Sequence, residues 1–284
     1  MILIVGASGY VGRRALEFFG PDKALGTYNH NPAPGCVHFD CTKMRLADVL
    51  PAGAEFDHAL VLYAEAGIDE CKADLKRSHE INVRSTKQVI DDLHKLGIKP
   101  IFTSSEYVFN GKKGNYVEED PAVPSTVYGS QKVEIEEYLE QSGKDFAVLR
   151  LAKVFGTDPQ DGTILSSWIK QIGNGDELRC AGDQVFSPVH VDDVVAVSNS
   201  VIERGLNGIY NLGGPESFSR LGMLQKLVET MGVEANVVEC SIKDFTFLDD
   251  RPLDLSMIPN KVLQATGLQF KTVQTSCETL LSLG

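Results

Sequence analysis

The sequence is short of several things, and each shortage narrows what the protein can be. Basic residues are outnumbered, with 27 Lys and Arg against 39 Asp and Glu for a formal charge of -12. That balance argues against nucleic acid or an anionic membrane as partner, while leaving room for an anionic small molecule held by local Arg or Lys. No apolar run approaches the length that spans a bilayer, and Met1 is followed by neither a basic region nor a cleavage site. The cytoplasm is therefore the expected location. The six cysteines (Cys36, Cys41, Cys71, Cys180, Cys240, Cys277) include no C-x-x-C pair and have no histidine at ligand spacing. Buried thiols are expected, and no disulfide or metal site. Repeats, low-complexity runs and linkers are missing too. The 284 residues, 43% hydrophobic and 23% charged, have the balance of an ordinary globular protein of one large or two modest domains.

What is present begins at the first residue. Met1-Ile-Leu-Ile-Val-Gly6-Ala-Ser8-Gly9-Tyr10-Val11-Gly12 is an uncharged apolar run followed by glycines at three-residue spacing. It reads as a buried strand turning into a helix over Tyr10 to Phe19. The first glycine permits a tight turn, the second a close approach of backbone to a pyrophosphate, and the third close packing of helix on strand. Phosphates would lie over the free N–H groups at the helix start. The expected ligand is a dinucleotide.

Strands then alternate with helices: Lys23–Tyr28, Cys36–Asp40, Asp57–Tyr63, a long helical stretch around Lys72 to Leu96, and Lys99–Thr103. This order predicts an α/β fold, a Rossmann-type doubly wound parallel sheet whose carboxyl strand ends gather the ligand site. The second strand ends at Tyr28, followed by Asn29, His30 and Asn31, so the carboxylate that holds the 2′-hydroxyl of NAD is absent. A 2′-phosphate is not excluded, which favours NADPH slightly among NADP or NAD. Arg13 and Arg14 have two readings, as reach toward such a phosphate or as solvated helix surface, the second preferred. Asp40 either accepts from an adenine amino group or caps a helix.

The fifth strand continues into Ser104-Ser105-Glu106-Tyr107-Val108-Phe109-Asn110-Gly111, and Tyr128 and Lys132 open a later helix that runs to about Glu140. Four residues apart, they share one helix face. An ammonium ~4 Å from a phenol at an effective dielectric of ~20 favours the phenolate by roughly 4 kcal/mol before desolvation is subtracted. Such a tyrosine can move a proton near neutral pH.

The glycine loop, the Ser-Ser after a strand and the Tyr128/Lys132 helix, in this order, resemble the extended short-chain dehydrogenase/reductase family. Ala64–Cys71, Asn82, Ser104–Gly111, Val127–Lys132, Leu149–Gly156, Pro188–Asp193 and Arg251–Ser256 narrow the resemblance to the dTDP-4-dehydrorhamnose reductase branch. The resemblance implies that Ser105 bonds a substrate carbonyl, Tyr128 donates the proton, and Lys132 lowers its pKa while holding the nicotinamide ribose. It places Gly6, Ser8, Gly9, Tyr10, Val11, Gly12, Asp40, Tyr63, Ala64 and Asn82, with Tyr128 and Lys132, on the cofactor. Asn82 facing solvent is the alternative at that position. Related dehydratases carry an adjacent Asp-Glu pair after the catalytic Ser or Thr. Here Glu106-Tyr107 stands instead, which favours carbonyl reduction over elimination. Glu106 either orients substrate hydroxyls or solvates the loop mouth.

After a sixth strand at Asp145–Leu149 the character changes. Lys153–Asp161 reads as loop, Thr163–Ile172 as helix, Ser187–Asp193 as a return to the sheet and Gly208–Gly214 as one more strand. Gly173–Cys180 reads as a turn into a strand, and the part after Gly214 as helices. The expected division is a dinucleotide domain over 1–160, completed by about 187–212, and a smaller C-terminal substrate-binding lobe over 161–186 and 213–284. Trp168 has two readings, a sugar-pocket wall or helix–core packing. Arg251 either grips substrate or forms a salt bridge. His190 reads as a structural hydrogen-bonder. The expected activity is NAD(P)H-dependent reduction of a 4-keto sugar nucleotide. A regulatory dinucleotide-binding subunit like the methionine adenosyltransferase beta subunit, or a sugar-nucleotide epimerase, are the alternatives. The oligomeric state stays open, a homodimer included.

Overall fold

The alternation of apolar strands and amphipathic helices closes into one all-parallel sheet in a computed structural model that describes residues 1–283. Its strands are β1 (Ile2–Val5), β2 (Ala24–Tyr28), β3 (Cys36–His38), β4 (His58–Val61), β5 (Lys99–Ser105), β6 (Ala147–Leu151) and a seventh, Gly208–Leu212. Their spatial order is Gly208–Leu212, β6, β5, β4, β1, β2, β3. The chain changes direction across the sheet between β1 and β4, the switch point where carboxyl strand ends leave a crevice.

Side chains alternate across each strand, so one sheet feeds two cores. Ile4, Leu60 and Ile101 enter the core that α1 (Tyr10–Phe19) and the Val191–Arg204 helix cover with Ala15, Val194 and Val197. Leu3, Val61 and Phe102 enter the opposite core, covered by Val89 and Ile90 of the Ser85–Lys95 helix and by Ile135 and Leu139 of the Val127–Gln141 helix. The sheet is doubly wound.

A third core, with Leu165, Phe186, Leu224 and Cys277, lies within the second half of the chain. A strand at Leu178–Ala181 lies where one is expected, whereas the part after Gly214 is not purely helical. Leu178–Ala181 pairs with Val237–Cys240, and Val185–Phe186 with Phe218–Ser219. Nor does Ser187–Asp193 rejoin the main sheet: Val189–His190 pairs only with Val154–Phe155. The His190 ring then accepts from the Asp192 amide at 3.1 Å, capping the next helix and ending the strand after two residues. The stretch from Lys72 to Leu96 is also broken. Short helices at Ile68–Ala73 and Leu75–His79 lead into a π-helical turn, Glu80–Arg84, before Ser85–Lys95. No helix among the described residues is long and apolar enough to cross a membrane.

Candidate active site

The glycine loop is built as its spacing requires. Gly6 sits at φ +91, and a Cβ there would lie 2.9 Å from the Tyr63 amide nitrogen, so only glycine fits. A Cβ at Gly12 would meet the Gly6 carbonyl at 2.5 Å, which is the close packing of helix on strand. Gly9 has room on its outer side and precedes α1 without a capping side chain. The first-turn N–H groups of α1 are thereby left for a ligand, and the loop fits a dinucleotide pyrophosphate.

Beside the loop lies a cavity of about 500 Å³ whose lining includes Gly6, Tyr28, Asn29, His30, Asp40, Lys43, Tyr63, Ala64 and Arg77. Asp40 uses its carboxylate locally, accepting from the Thr42 amide (3.0 Å), the Thr42 hydroxyl (2.7 Å) and the Lys43 ammonium (2.8 Å). The Lys43 contact is the main reason its carboxyl falls to about 2. Asp40 caps a turn and not a helix, since the next helix, Leu46–Val49, starts after Arg45, and the residue lines the cavity. Tyr63 shares a hydrogen bond with Ser85 at 3.2 Å. Arg14 is tied to Asp192 (2.6 Å) and Glu17 (2.9 Å), and Arg13 and Arg14 line a different hollow. The cations at the first cavity are Lys43 and Arg77, which the sequence reading passed over.

Ala64 also borders a second cavity of about 410 Å³ at the ends of β5 and β6. Ser105, Glu106, Tyr128 and Lys132 meet there. Tyr128 is 9% exposed and Lys132 3%. The Lys132 ammonium donates to the Thr103 carbonyl at 2.8 Å and stands 5.6 Å from the Tyr128 ring centre. The expected depression of the phenol does not occur in this arrangement. Burial pushes Tyr128 up, against a smaller opposing pull from the Ser105 hydroxyl, and burial brings Lys132 down to about 8. Desolvation dominates because both groups lie in protein and the lysine spends a proton on a backbone carbonyl.

Glu106 is buried at 6% exposure, and its Oε2 has no hydrogen-bond partner. Burial raises its carboxyl to about 8, with Lys153 pulling the other way. The neighbouring Ser104 hydroxyl is also buried and unpartnered on the same cavity wall. Unpaired buried polar atoms are costly, and these two lie on the wall of the cavity, where a polar group could reach them.

Asn82 lies behind the wall, 3% exposed, and does not face solvent. Its amide donates to Glu65 O (2.9 Å) and Gln131 Oε1 (2.7 Å), while its oxygen accepts from Glu65 N (2.8 Å). It thus ties the loop after β4 to the helix of Tyr128 and Lys132.

The Tyr10 side chain sits elsewhere than expected, while Trp168 and Arg251 each take the second of their two readings. The Tyr10 hydroxyl donates to Asp161 at 2.9 Å and lines the hollow of Arg13 and His190, so its side chain leaves the dinucleotide cavities and only its backbone remains in the loop. Val11 packs against the first core, and Ser8 occupies the turn between the glycines. Trp168 is core: 5% exposed among Leu165, Phe186 and Leu224, it is absent from the cleft lining because its helix turns its apolar face inward. Arg251 is in an ion pair with Asp69 at 2.9 Å and stacks 4.2 Å from the Phe247 ring centre, away from the cleft. The cations facing the cavity besides Lys132 are Lys153 and Arg220. Lys153 was legible in principle, since it follows β6 at a carboxyl strand end. Arg220 carried no motif.

The RmlD substrate-binding domain family matches residues 1–283. The chain is similar to dTDP-4-dehydrorhamnose reductase of Sinorhizobium fredii, 23% identical over 79% of each chain. It is 24% identical to methionine adenosyltransferase 2 subunit beta of Bos taurus over 83% of this chain and 73% of that one. The crystal structure of Bacillus anthracis dTDP-4-dehydrorhamnose reductase in complex with NADP superposes with a TM-score of 0.85 at 20% identity, covering 100% of this chain and 99% of the other.

Proposed function

The chain belongs to the RmlD substrate-binding domain family, and from that premise we propose that it is a nicotinamide-dependent reductase of a 4-keto sugar nucleotide. The observation that carries this reading is the convergence of Ser105, Tyr128 and Lys132 on a cavity that has Ala64 in common with the lining of the glycine-loop cavity. When bound, the dinucleotide supplies a hydride to the carbonyl carbon. The Ser105 hydroxyl then hydrogen-bonds the carbonyl oxygen, and Tyr128 gives that oxygen its proton. A phenol held up by burial suits this direction of reaction, because it stays protonated until the oxygen gains charge. Lys132 brings positive charge to the same wall, and neutral Glu106 offers a proton to a sugar hydroxyl. Arg220 and Lys153 take the phosphate contacts first sought at Arg251.

Glu106 has Tyr107 beside it and no second carboxylate, which disfavours elimination. Lys43 and Arg77 line the same cavity as Asn29 and His30, where a ribose carboxylate is missing, which favours NADPH over NADH. A screen of nucleotide-linked 4-keto sugars for NADPH oxidation tests the reading, with Tyr128→Phe as control. Turnover that survives in Tyr128→Phe would sink the mechanism. The similarity to the methionine adenosyltransferase beta subunit supports a second reading, a regulatory dinucleotide-binding subunit. Copurification with a synthetase, together with no oxidation of NADPH by any keto sugar nucleotide, would favour it.

A further inference from the structure

The helix that carries Tyr128 is capped twice, and only one cap is local. Thr126 accepts from the Gly129 amide at 3.0 Å, the usual N-terminal cap. Asp249, 122 residues further on, accepts from the amide of Val127, the first residue of the helix, at 2.8 Å. Its side chain is 6% exposed, with the Lys72 ammonium 3.6 Å away. A helix already started by Thr126 does not need this second acceptor in order to form.

Asp249 is itself held. Asp69 accepts from the Leu248 amide (3.1 Å) and the Asp249 amide (3.2 Å), and pairs with Arg251 at 2.9 Å. Arg251 returns hydrogen bonds to the carbonyls of Asp249 (3.2 Å) and Asp250 (3.1 Å). The next residue, Pro252, borders the cleft. On its other side the helix start presses on the loop of the Ser105 segment, since a Cβ at Gly129 would fall 2.0 Å from the Tyr107 carbonyl. Tyr128 therefore sits between two fixed surfaces, the Tyr107 backbone and the 248–252 strap.

We propose that Asp249, held by Asp69 and Arg251, is a positioning residue: the strap sets the placement of the Tyr128 helix and so the distance from phenol to substrate carbonyl. Asp249 touches neither substrate nor cofactor and acts through Val127. The inference rests on the reading of Tyr128 as proton donor. It gives the lobe a direct hold on the reacting group, with Pro252 on the cleft side of the same strap.

The test compares Asp249→Ala with Asp249→Asn in the full chain with NADPH bound. Asparagine keeps an oxygen for the Val127 amide; alanine does not. Misplacement of a reacting group by about 1 Å can cost ~100-fold. For Asp249→Ala, kcat is expected to fall at least about tenfold, with KM and the NADPH Kd each within about twofold. With ¹³Cζ-labelled tyrosine, the resonance assigned by its loss in Tyr128→Phe should shift in Asp249→Ala. Asp249→Asn should restore both kcat and resonance. A folded Asp249→Ala with unchanged kcat and an unmoved resonance overturns the proposal. So does an Asp249→Asn as impaired as alanine, with kcat and melting temperature falling and the NADPH Kd rising together, since that is a purely structural role. Should Asp249→Ala fail to fold, Asp69→Asn keeps the acceptor for both strap amides and loses the charge paired with Arg251. A several-fold loss of kcat with a shifted Tyr128 resonance is then expected, and no change in either overturns the proposal. If wild type turns over no keto sugar nucleotide while the resonance still responds to Asp249, the reductase reading fails, and only the hold of the strap on the Tyr128 helix stands.

Discussion

Lys132 directs its ammonium to the backbone carbonyl of Thr103, 2.8 Å away, and not to the hydroxyl of Tyr128 one helical turn behind it. The pair shares a helix face as i, i+4 spacing demands, yet the phenol is governed by burial. Lys132 holds its proton only up to about pH 8. Lysine at this position thus supplies charge near neutrality and loses it in mild alkali.

Turnover should accordingly decline above about pH 8 as Lys132 deprotonates. Lys132→Met should lower kcat by roughly 100-fold or more, the usual scale of a lost acid–base partner. Steady-state kinetics from pH 6 to 10 check this, and a flat profile across pH 8 would contradict the assignment.

Glu106 makes a stability prediction with a definite sign. Its carboxyl rises from 4.5 in the unfolded chain to about 8 when folded. Between those values the folded protein keeps a proton that the unfolded chain has released, so stability falls as pH rises through this window. Glu106→Gln removes the titration. Its melting temperature should gain on wild type progressively from pH 4.5 to 8, with a constant offset below pH 4.5. Parallel melting curves across the window would show that Glu106 stays ionised.

At the adenosine end, Lys43→Ala combined with Arg77→Ala should weaken NADPH by about five- to tenfold and leave NADH nearly unchanged, as expected for losing exposed charged contacts to one phosphate. Fluorescence titration with both cofactors decides. Equal losses for the two would place the cations away from the 2′-phosphate, and tighter NADH binding by wild type would overturn the NADPH preference.

Two residues separate binding from packing in the lobe. Arg220→Ala should raise KM for the sugar nucleotide about tenfold with a smaller change in kcat, the signature of lost uniform binding. Trp168→Ala should cost about 3–5 kcal/mol of stability through its cavity, and Trp168→Phe should leave KM nearly unchanged. Denaturant unfolding alongside kinetics distinguishes them; a large KM effect in Trp168→Phe would return the tryptophan to the cleft.

The legible part of this protein was what local chemistry dictates. Glycines at 6, 9 and 12 can be read because a backbone at φ +91 and a helix pressed on a strand tolerate no Cβ. The parallel sheet can be read because its strands show as short, largely apolar runs alternating with helical stretches. The spacing of Tyr128 and Lys132 can be read as one shared helix face, but their roles with Ser105 are read from the resemblance to the short-chain dehydrogenase/reductase family. For the loop and the sheet, chain order and side-chain period were sufficient.

What the tertiary structure alone decided concerns residues with two equally good local explanations. Trp168 and Arg251 have the chemistry of a sugar wall and a phosphate clamp, but a helix rotation buries one, and Asp69, 182 residues earlier, takes the other. Arg220 and Asp249 carry no motif, and their placement comes from contacts distant in sequence, Arg220 with Gln184 and Trp168 and Asp249 with Val127. The ionisation of the site belongs to this second group, since burial, which no single stretch of sequence reports, outweighs the Tyr128–Lys132 spacing. Sequence determines which groups are available at the crevice; long-range packing determines which face it and in what protonation state.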